Sequence, residues 1–208
     1  MKRFIQFLGY VFSALFGNSF IDMLQSAKIN FYTGFYKKKF KEFGKGTVIV
    51  PRARMLEGLD YITIGDNCII GSNIQLTAYD HYVTGQLFKP SIKIQNNVEI
   101  GDGSHITCIN RIEIGNNVLT GRYVLITDNS HGSRMIDQLS IPPAKRSMIS
   151  KGATIIEDNV WIGEKATITA GVIVGKNSII GANCVITKDV PPFTLAVGSP
   201  VRYIRMDK

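Results

Sequence analysis

The sequence predicts an all-β fold: a three-sided parallel β-helix of about five regular coils plus one degenerate coil, with an N-terminal helical segment. Three observations point there. An aliphatic residue returns at every sixth position from Ile64, from Ile94, from Ile114 and from Ile156; of fifteen such hexads fourteen begin with Ile, Leu or Val, Thr120 being the exception. The position two residues before each new start is Cys, Ile, Val, Ser or Ala in thirteen of the fifteen. A longer period underlies the short one: the second hexad of each triplet has Gly after its start (Gly71, Gly101, Gly121, Gly163, Gly181), and the third has Thr (Thr77, Thr107, Thr127, Thr169, Thr187).

Residues 1–54 come first and differ from the rest. They hold ten Lys or Arg against two acids, whereas 55–208 hold fourteen of each, so the net charge of +8 belongs to this quarter. It opens "MKRFIQFLGYVFSALFGNSFIDML" and continues to "YKKKFKEFGKG". Lys2 and Arg3 precede an apolar run in the manner of a signal peptide, but no A-x-A-like cleavage site follows. Gln6, Asn18 and Asp22 interrupt the stretch as a membrane span. Two readings stay open. Helices could cover the exposed edge of the first coil, which must be closed somehow. Alternatively, basic residues beside aromatics could lie on an anionic membrane surface. Nucleic acid is disfavoured, since no reading module surrounds the basic run.

The hexads justify the coils. Residues two apart on a strand face the same side, so each hexad is a short strand with two inward residues and a turn. Gly, Asn and Asp after the aliphatic start suit turns. No hexad buries its inward pair alone, so the coils must stack, about 4.8 Å apart. Three excursions, 82–93, 112–113 and 132–155, all leave after a third hexad and so from one corner of the prism. Cys68 and Cys184 fall at inward positions and Cys108 in a turn as a free thiol; an odd, scattered count suits a reducing compartment. The histidines His81, His105 and His131 each end a hexad, hence at turns and at least partly exposed. His105 reads as structural. His81 and His131 share the loop-bearing corner with Arg111 between them, which makes His81 and Arg111 candidates for acceptor binding. His131 is set apart because it precedes the longest excursion, and Trp161 follows as the rhythm resumes.

Over about 57–206 the chain resembles the hexapeptide-repeat acyltransferases. The most specific stretch is "NVWIGEKATITAGVIVGKNSIIGANCVITKDVPPFTLAVGSPVRYIR", which is similar to the last coils and tail of maltose- and galactoside-type and surface-polysaccharide O-acetyltransferases. The resemblance implies a left-handed β-helix, a hand opposite to the usual crossover. With the charge asymmetry it divides the chain into a helical segment over 1–54 and an acyltransferase domain over 55–208, and it implies a tail over 192–206 that binds coenzyme A. It further implies a cytoplasmic, acetyl-CoA-dependent homotrimer acting on a saccharide in surface polysaccharide biosynthesis.

The resemblance also implies site residues. His131 matches the catalytic base; by its place three residues earlier Asp128 is a candidate to orient it, or else a solvated acid of the turn. Trp161, Gly163, Ala182, Thr187, Lys188, Arg202 and Arg205 match cofactor contacts. The chemistry agrees: a small residue such as Ala182 lets a pantetheine arm lie close, and the basic side chains suit phosphates. A thioester carbonyl is electrophilic but a neutral hydroxyl is a poor nucleophile, so a base titrating near neutrality is what the reaction needs.

Some positions depart from the family. Glu164 follows "WIG" where a small polar residue is usual. Thr107 stands where an acceptor-contacting Asn is expected, and the insertion after it is shortened to Ile112 and Glu113. A xenobiotic or antibiotic O-acetyltransferase on the same scaffold is the alternative. A γ-carbonic-anhydrase-like zinc enzyme would need three converging imidazoles, whereas no two histidines here have the close same-coil spacing of that family, and no metal site is expected.

Overall fold

The computed structural model describes residues 1–133 and 135–206. A helix spans Lys2–Lys37, and from Glu42 the chain winds as a left-handed parallel β-helix with three faces. Each coil lays one strand on each face. The first face runs Glu42–Phe43, Ile62–Ile64, Ser91–Ile94, Arg111–Ile114, Thr154–Ile156 and Ile173–Val174. The second runs from Val48–Ile49 through Trp161–Ile162 and Ile179–Ile180 to Thr194–Val197. There Arg202–Arg205 folds back antiparallel and closes the last edge. The third runs from Met55–Glu57 to Val185–Ile186.

The two inward positions of the hexads make the core. Ile64, Ile70, Leu76, Ile94, Ile100 and Ile106 are buried, as are Cys68, Val98, Val118 and Val160 at the second inward position. Cys108 is buried as well rather than standing in an open turn, and its thiol lies 3.1 Å from the Asp128 carboxylate. Burial and that carboxylate push the thiol far above its ordinary range, so Cys108 stays protonated.

Corners differ. In all ten first and second hexads the fourth residue adopts positive φ: Asn67, Asn73, Asn97, Gly103, Asn117, Tyr123, Asn159, Lys165, Asn177 and Asn183. Asn tolerates the left-handed region better than other residues, and here it also stacks. The Asn97 amide donates to Asn117 at 3.1 Å, Asn117 to Asn159 at 2.9 Å and Asn159 to Asn177 at 3.1 Å. In the third hexads only Gly171 does so. The third corner therefore lacks the tight turn, and from it the loops leave.

Two expectations need correction, and one open reading holds in part. The 54/55 boundary falls inside a coil: Val48–Ile49 pairs with Ile69–Ile70 and Met55–Glu57 with Gln75–Ala78, so 42–57 is the degenerate first coil. Residues 112–113 are no excursion; Ile112 is buried and in register with Ile92, because alternation of Ile112 and Ile114 carries the strand straight on. The helix covers the first coil only at its end. Thr33 is buried, its hydroxyl accepting from the Ile49 N–H at 2.9 Å, and Tyr32 and Tyr36 pack on the core. Before Thr33 no described side chain is buried, and the helix runs on from the prism, about 54 Å in all at 1.5 Å per residue. Among the described residues no helix is long and apolar enough to cross a membrane.

Candidate active site

The site is built where the third corner opens. After Thr127 the chain does not turn into the next coil. Asn129–His131 instead pairs antiparallel with Met148–Ser150, His131 opposite Met148. His131 is thus held on a short strand that departs from the prism. The intervening loop carries a helical turn, Ile136–Leu139, and a 3-10 turn, Pro143–Lys145. The second loop ends at 90, short of the expected 93, because Ser91–Ile94 is already a first-face strand; it is clasped to the first by the Gln86 side chain, which accepts from the Met148 N–H at 2.7 Å and donates to the Met148 carbonyl at 3.0 Å.

Two clefts meet at this strand. One, of about 380 Å³, is lined by Glu57, Tyr79, His81, Tyr82, Val83, His105, Thr107, Asn129, His131 and Met148. The other, of about 940 Å³, includes Gly132, Arg146, Lys151, Ala170, Thr187 and Lys188. Asn129 and His131 line both. The Asn129 amide donates to the Thr107 carbonyl and to Asp128, each at 3.1 Å, which fixes it between the coils. His131 is exposed, and its Nδ1 lies 3.2 Å from the Tyr82 hydroxyl.

Asp128 does not orient His131. Its side chain is fully buried and accepts from the Ile109 and Asn110 N–H groups at 2.9 and 2.8 Å. Sequence proximity misleads here because the strand alternates, so Asp128 points into the prism. The carboxylate closes the open corner of the coil below, where no left-handed residue does so.

The other expected acceptor residues divide. His81 and Thr107 line the smaller cleft. His81 Nδ1 is 2.6 Å from Asp80, and the Tyr61 hydroxyl donates to the same carboxylate at 3.0 Å; these two partners hold Asp80 below the usual carboxylate range. Arg111 is not part of the cleft: it starts a first-face strand, exposed and 3.8 Å from Glu113. His105, read from sequence as structural, lines the cleft instead. Burial, and secondarily the Arg54 charge, lowers its pKa, so it is uncharged at neutral pH. Tyr79, Tyr82 and Asn129 were also missed, although Tyr79 and Asn129 occupy the same fourth position of third hexads.

The expected cofactor residues fall in two places. Thr187 and Lys188 line the larger cleft. Trp161, Gly163 and Ala182 do not; Trp161 lies outward on the second face, and Gly163 backs on Ala182 so closely that an added Cβ would come 2.5 Å from the Ala182 nitrogen. Arg202 and Arg205 are exposed on the edge strand and line neither cleft. Among the described residues no group of three or more His, Cys, Asp or Glu stands close enough to hold a metal ion.

Comparison with known proteins decides the family. The bacterial transferase hexapeptide model (six repeats) matches residues 153–188, and the hexapeptide repeat of succinyl-transferase matches 61–78. The putative lipopolysaccharide biosynthesis O-acetyl transferase WbbJ of Escherichia coli is 34% identical over 69% of this chain and 71% of its own. This chain belongs to the hexapeptide-repeat acyltransferases. The galactoside O-acetyltransferase of Lactococcus lactis is 30% identical over 77% of this chain and 70% of its own. Several other relatives are longer, and the chain spans about two fifths of their length. In structure, the chain is similar to the S84T mutant of AntD, an N-acyltransferase from Bacillus cereus in complex with dTDP and coenzyme A. The TM-score is 0.67 at 20% identity, over 84% of this chain and 88% of that one, a likeness of fold.

Proposed function

We propose that this acyltransferase moves an acetyl group from acetyl-CoA to a saccharide hydroxyl, with His131 as general base. One observation carries the reading: His131 stands where the two clefts meet, so a donor in one and an acceptor in the other would both reach it. The smaller cleft, with tyrosines, histidines and Thr107, offers hydrogen bonds and aromatic faces suited to a sugar. The larger one has the small residues Gly132 and Ala170 for a thin arm and Arg146, Lys151 and Lys188 for phosphates. His131 takes the proton of the hydroxyl as its oxygen attacks the thioester carbonyl. The imidazolium returns that proton to the departing sulfur, leaving an O-acetyl ester and free coenzyme A. WbbJ and the galactoside enzyme, both named O-acetyltransferases, support this class of transfer. The WbbJ likeness further favours a role in surface polysaccharide biosynthesis. Thiol release from acetyl-CoA in the presence of sugars and nucleotide sugars tests the proposal; a protein that releases thiol with none of them, yet does so with antibiotics, would refute it in favour of the xenobiotic alternative.

The same reading makes the active unit a homotrimer. In one chain Trp161, Gly163 and Ala182 do not share the cleft of His131, so a complete donor site needs a neighbour to bring them. The second face has the surface for it: Leu119, Trp161, Ile179, Leu195 and Ile204 stand in one register row, and Leu119, Trp161 and Ile204 are exposed. Closed symmetry would hide this apolar strip. Light scattering at a monomer mass of 23.0 kDa would contradict it.

The helix completes the proposal as a reversible contact with the cytoplasmic membrane surface. Phe4, Ile5, Phe7, Tyr10 and Phe12 are exposed on it, and Lys37, Lys38, Lys39, Lys41 and Lys45 gather at its base. Each basic residue near an anionic surface contributes about 1 kcal/mol. Sedimentation with anionic but not neutral vesicles, reversed by salt, is expected; no pelleting at low salt would reject the contact.

A further inference from the structure

We infer that Tyr82 is a positioning residue that holds His131 in the tautomer with the proton on Nδ1, leaving the Nε2 lone pair free; this rests on His131 being the base. The geometry around the Tyr82 hydroxyl leads there. It has two polar neighbours, His131 Nδ1 at 3.2 Å and the Ala144 carbonyl at 3.3 Å. A carbonyl can only accept, so the one phenolic proton goes to Ala144. The oxygen's lone pairs are then what His131 Nδ1 meets, and that nitrogen must be the donor. With the opposite tautomer, either the hydroxyl gives up Ala144 or two lone pairs face each other.

Among the described residues no other side chain does this task. Asp128 is turned into the prism and spent on Ile109 and Asn110. Asn129 is committed to Thr107 and Asp128, and Ser130 directs its hydroxyl to the Gly132 carbonyl. The two rings also lie together, centroids 5.6 Å apart at 57°, so Tyr82 limits rotation of the imidazole. Because Tyr82 belongs to one loop and Ala144 to the other, the contact forms only when both loops are docked. The clasp of Gln86 to the Met148 backbone sets that docking. Tautomer and loop closure are therefore one event, and the base is armed when the acceptor cleft is assembled.

Nitrogen-15 spectra of the histidine-labelled full chain test this, since three imidazoles are easily told apart by single replacement. Neutral wild-type His131 is expected in the Nδ1–H form. In Tyr82→Phe, which keeps the ring, the expected result is a shift toward the Nε2–H form and kcat about tenfold lower with the acetyl-CoA KM unchanged. Unaltered His81 and His105 signals report that the prism is intact. An Nε2–H form in the wild type, or an unchanged tautomer in Tyr82→Phe, overturns the assignment. The spectral result stands apart from turnover: were His131→Ala to keep normal activity, the base reading would fail while the Tyr82 contact remained measurable.

Discussion

The first two corners of the prism and its third corner are made from the same six-residue unit but solve the turn differently. At the first two, a left-handed residue, most often Asn, ends each short strand, and at the first corner the amides of Asn97, Asn117, Asn159 and Asn177 form a ladder running from coil to coil. The backbone N–H of each left-handed residue also donates to a carbonyl one coil back, as Asn97 does to Asp66 and Tyr123 to Asp102, so an added loop would interrupt the pairing. At the third corner that residue is absent except at Gly171. A buried carboxylate, Asp128, and the clasped loops 82–90 and 132–153 take its place, and the histidine is carried outward on a strand of its own. Regular turns make the shaft rigid; the irregular one makes room for chemistry beside it.

Substitutions can break or sharpen this contrast. The largest effect is expected at Asp128. Asp128→Ala strands the Ile109 and Asn110 N–H groups in a buried place, and a loss of about 3–5 kcal/mol is expected in denaturant melts. A loss below about 1 kcal/mol would mean that the corner closes without it. His131→Ala should act in the opposite manner, leaving stability alone while turnover falls roughly 10²-fold or more. Calorimetry should find coenzyme A binding nearly unaltered; near-normal turnover on the true acceptor would remove His131 from the mechanism.

Lys188→Ala and Arg202→Ala separate cleft from edge. Lys188 lines the larger cleft and Arg202 does not. Within one chain, Lys188→Ala should raise the acetyl-CoA KM about tenfold with little change in kcat. If Arg202 acts only through a neighbouring chain, its effect should vanish on dilution below the assembly midpoint; equal KM effects at all concentrations would argue against that division. The smallest effect belongs to the regular corners. Asn117→Ala forces Ala into the left-handed region and cuts two ladder bonds, at a cost of about 1–2 kcal/mol in melting experiments and nothing in kcat. A fall in kcat there would show that the shaft and the site are not independent.

Much of this protein is written in periodicity. An aliphatic residue every sixth place, Gly in the second hexad and Thr in the third suffice for three faces, five regular coils and one loop-bearing corner, because each of those features is local or repeats by stacking. His131 could be singled out on the same ground, as the residue ending the rhythm before the longest loop, with a family likeness to say what such a residue does. Signals too weak for periodicity were missed. The degenerate coil over 42–57 keeps Ile49 and little else of the pattern, so its membership shows in the pairing of its three strands with the next coil, as of Val48 and Ile49 with Ile69 and Ile70. Asp128 and His131 look like partners three residues apart, yet the carboxylate points into the prism while the imidazole stands exposed on the departing strand. Tyr82 and Ala144 are 62 residues apart and meet at a single hydroxyl. Such contacts depend on how two loops of no fixed period dock, and that is decided by packing and hydrogen bonding between segments distant in the chain. Sequence alone determined the prism and its open corner and marked His131 as the candidate there; the tertiary structure alone decided what surrounds that histidine.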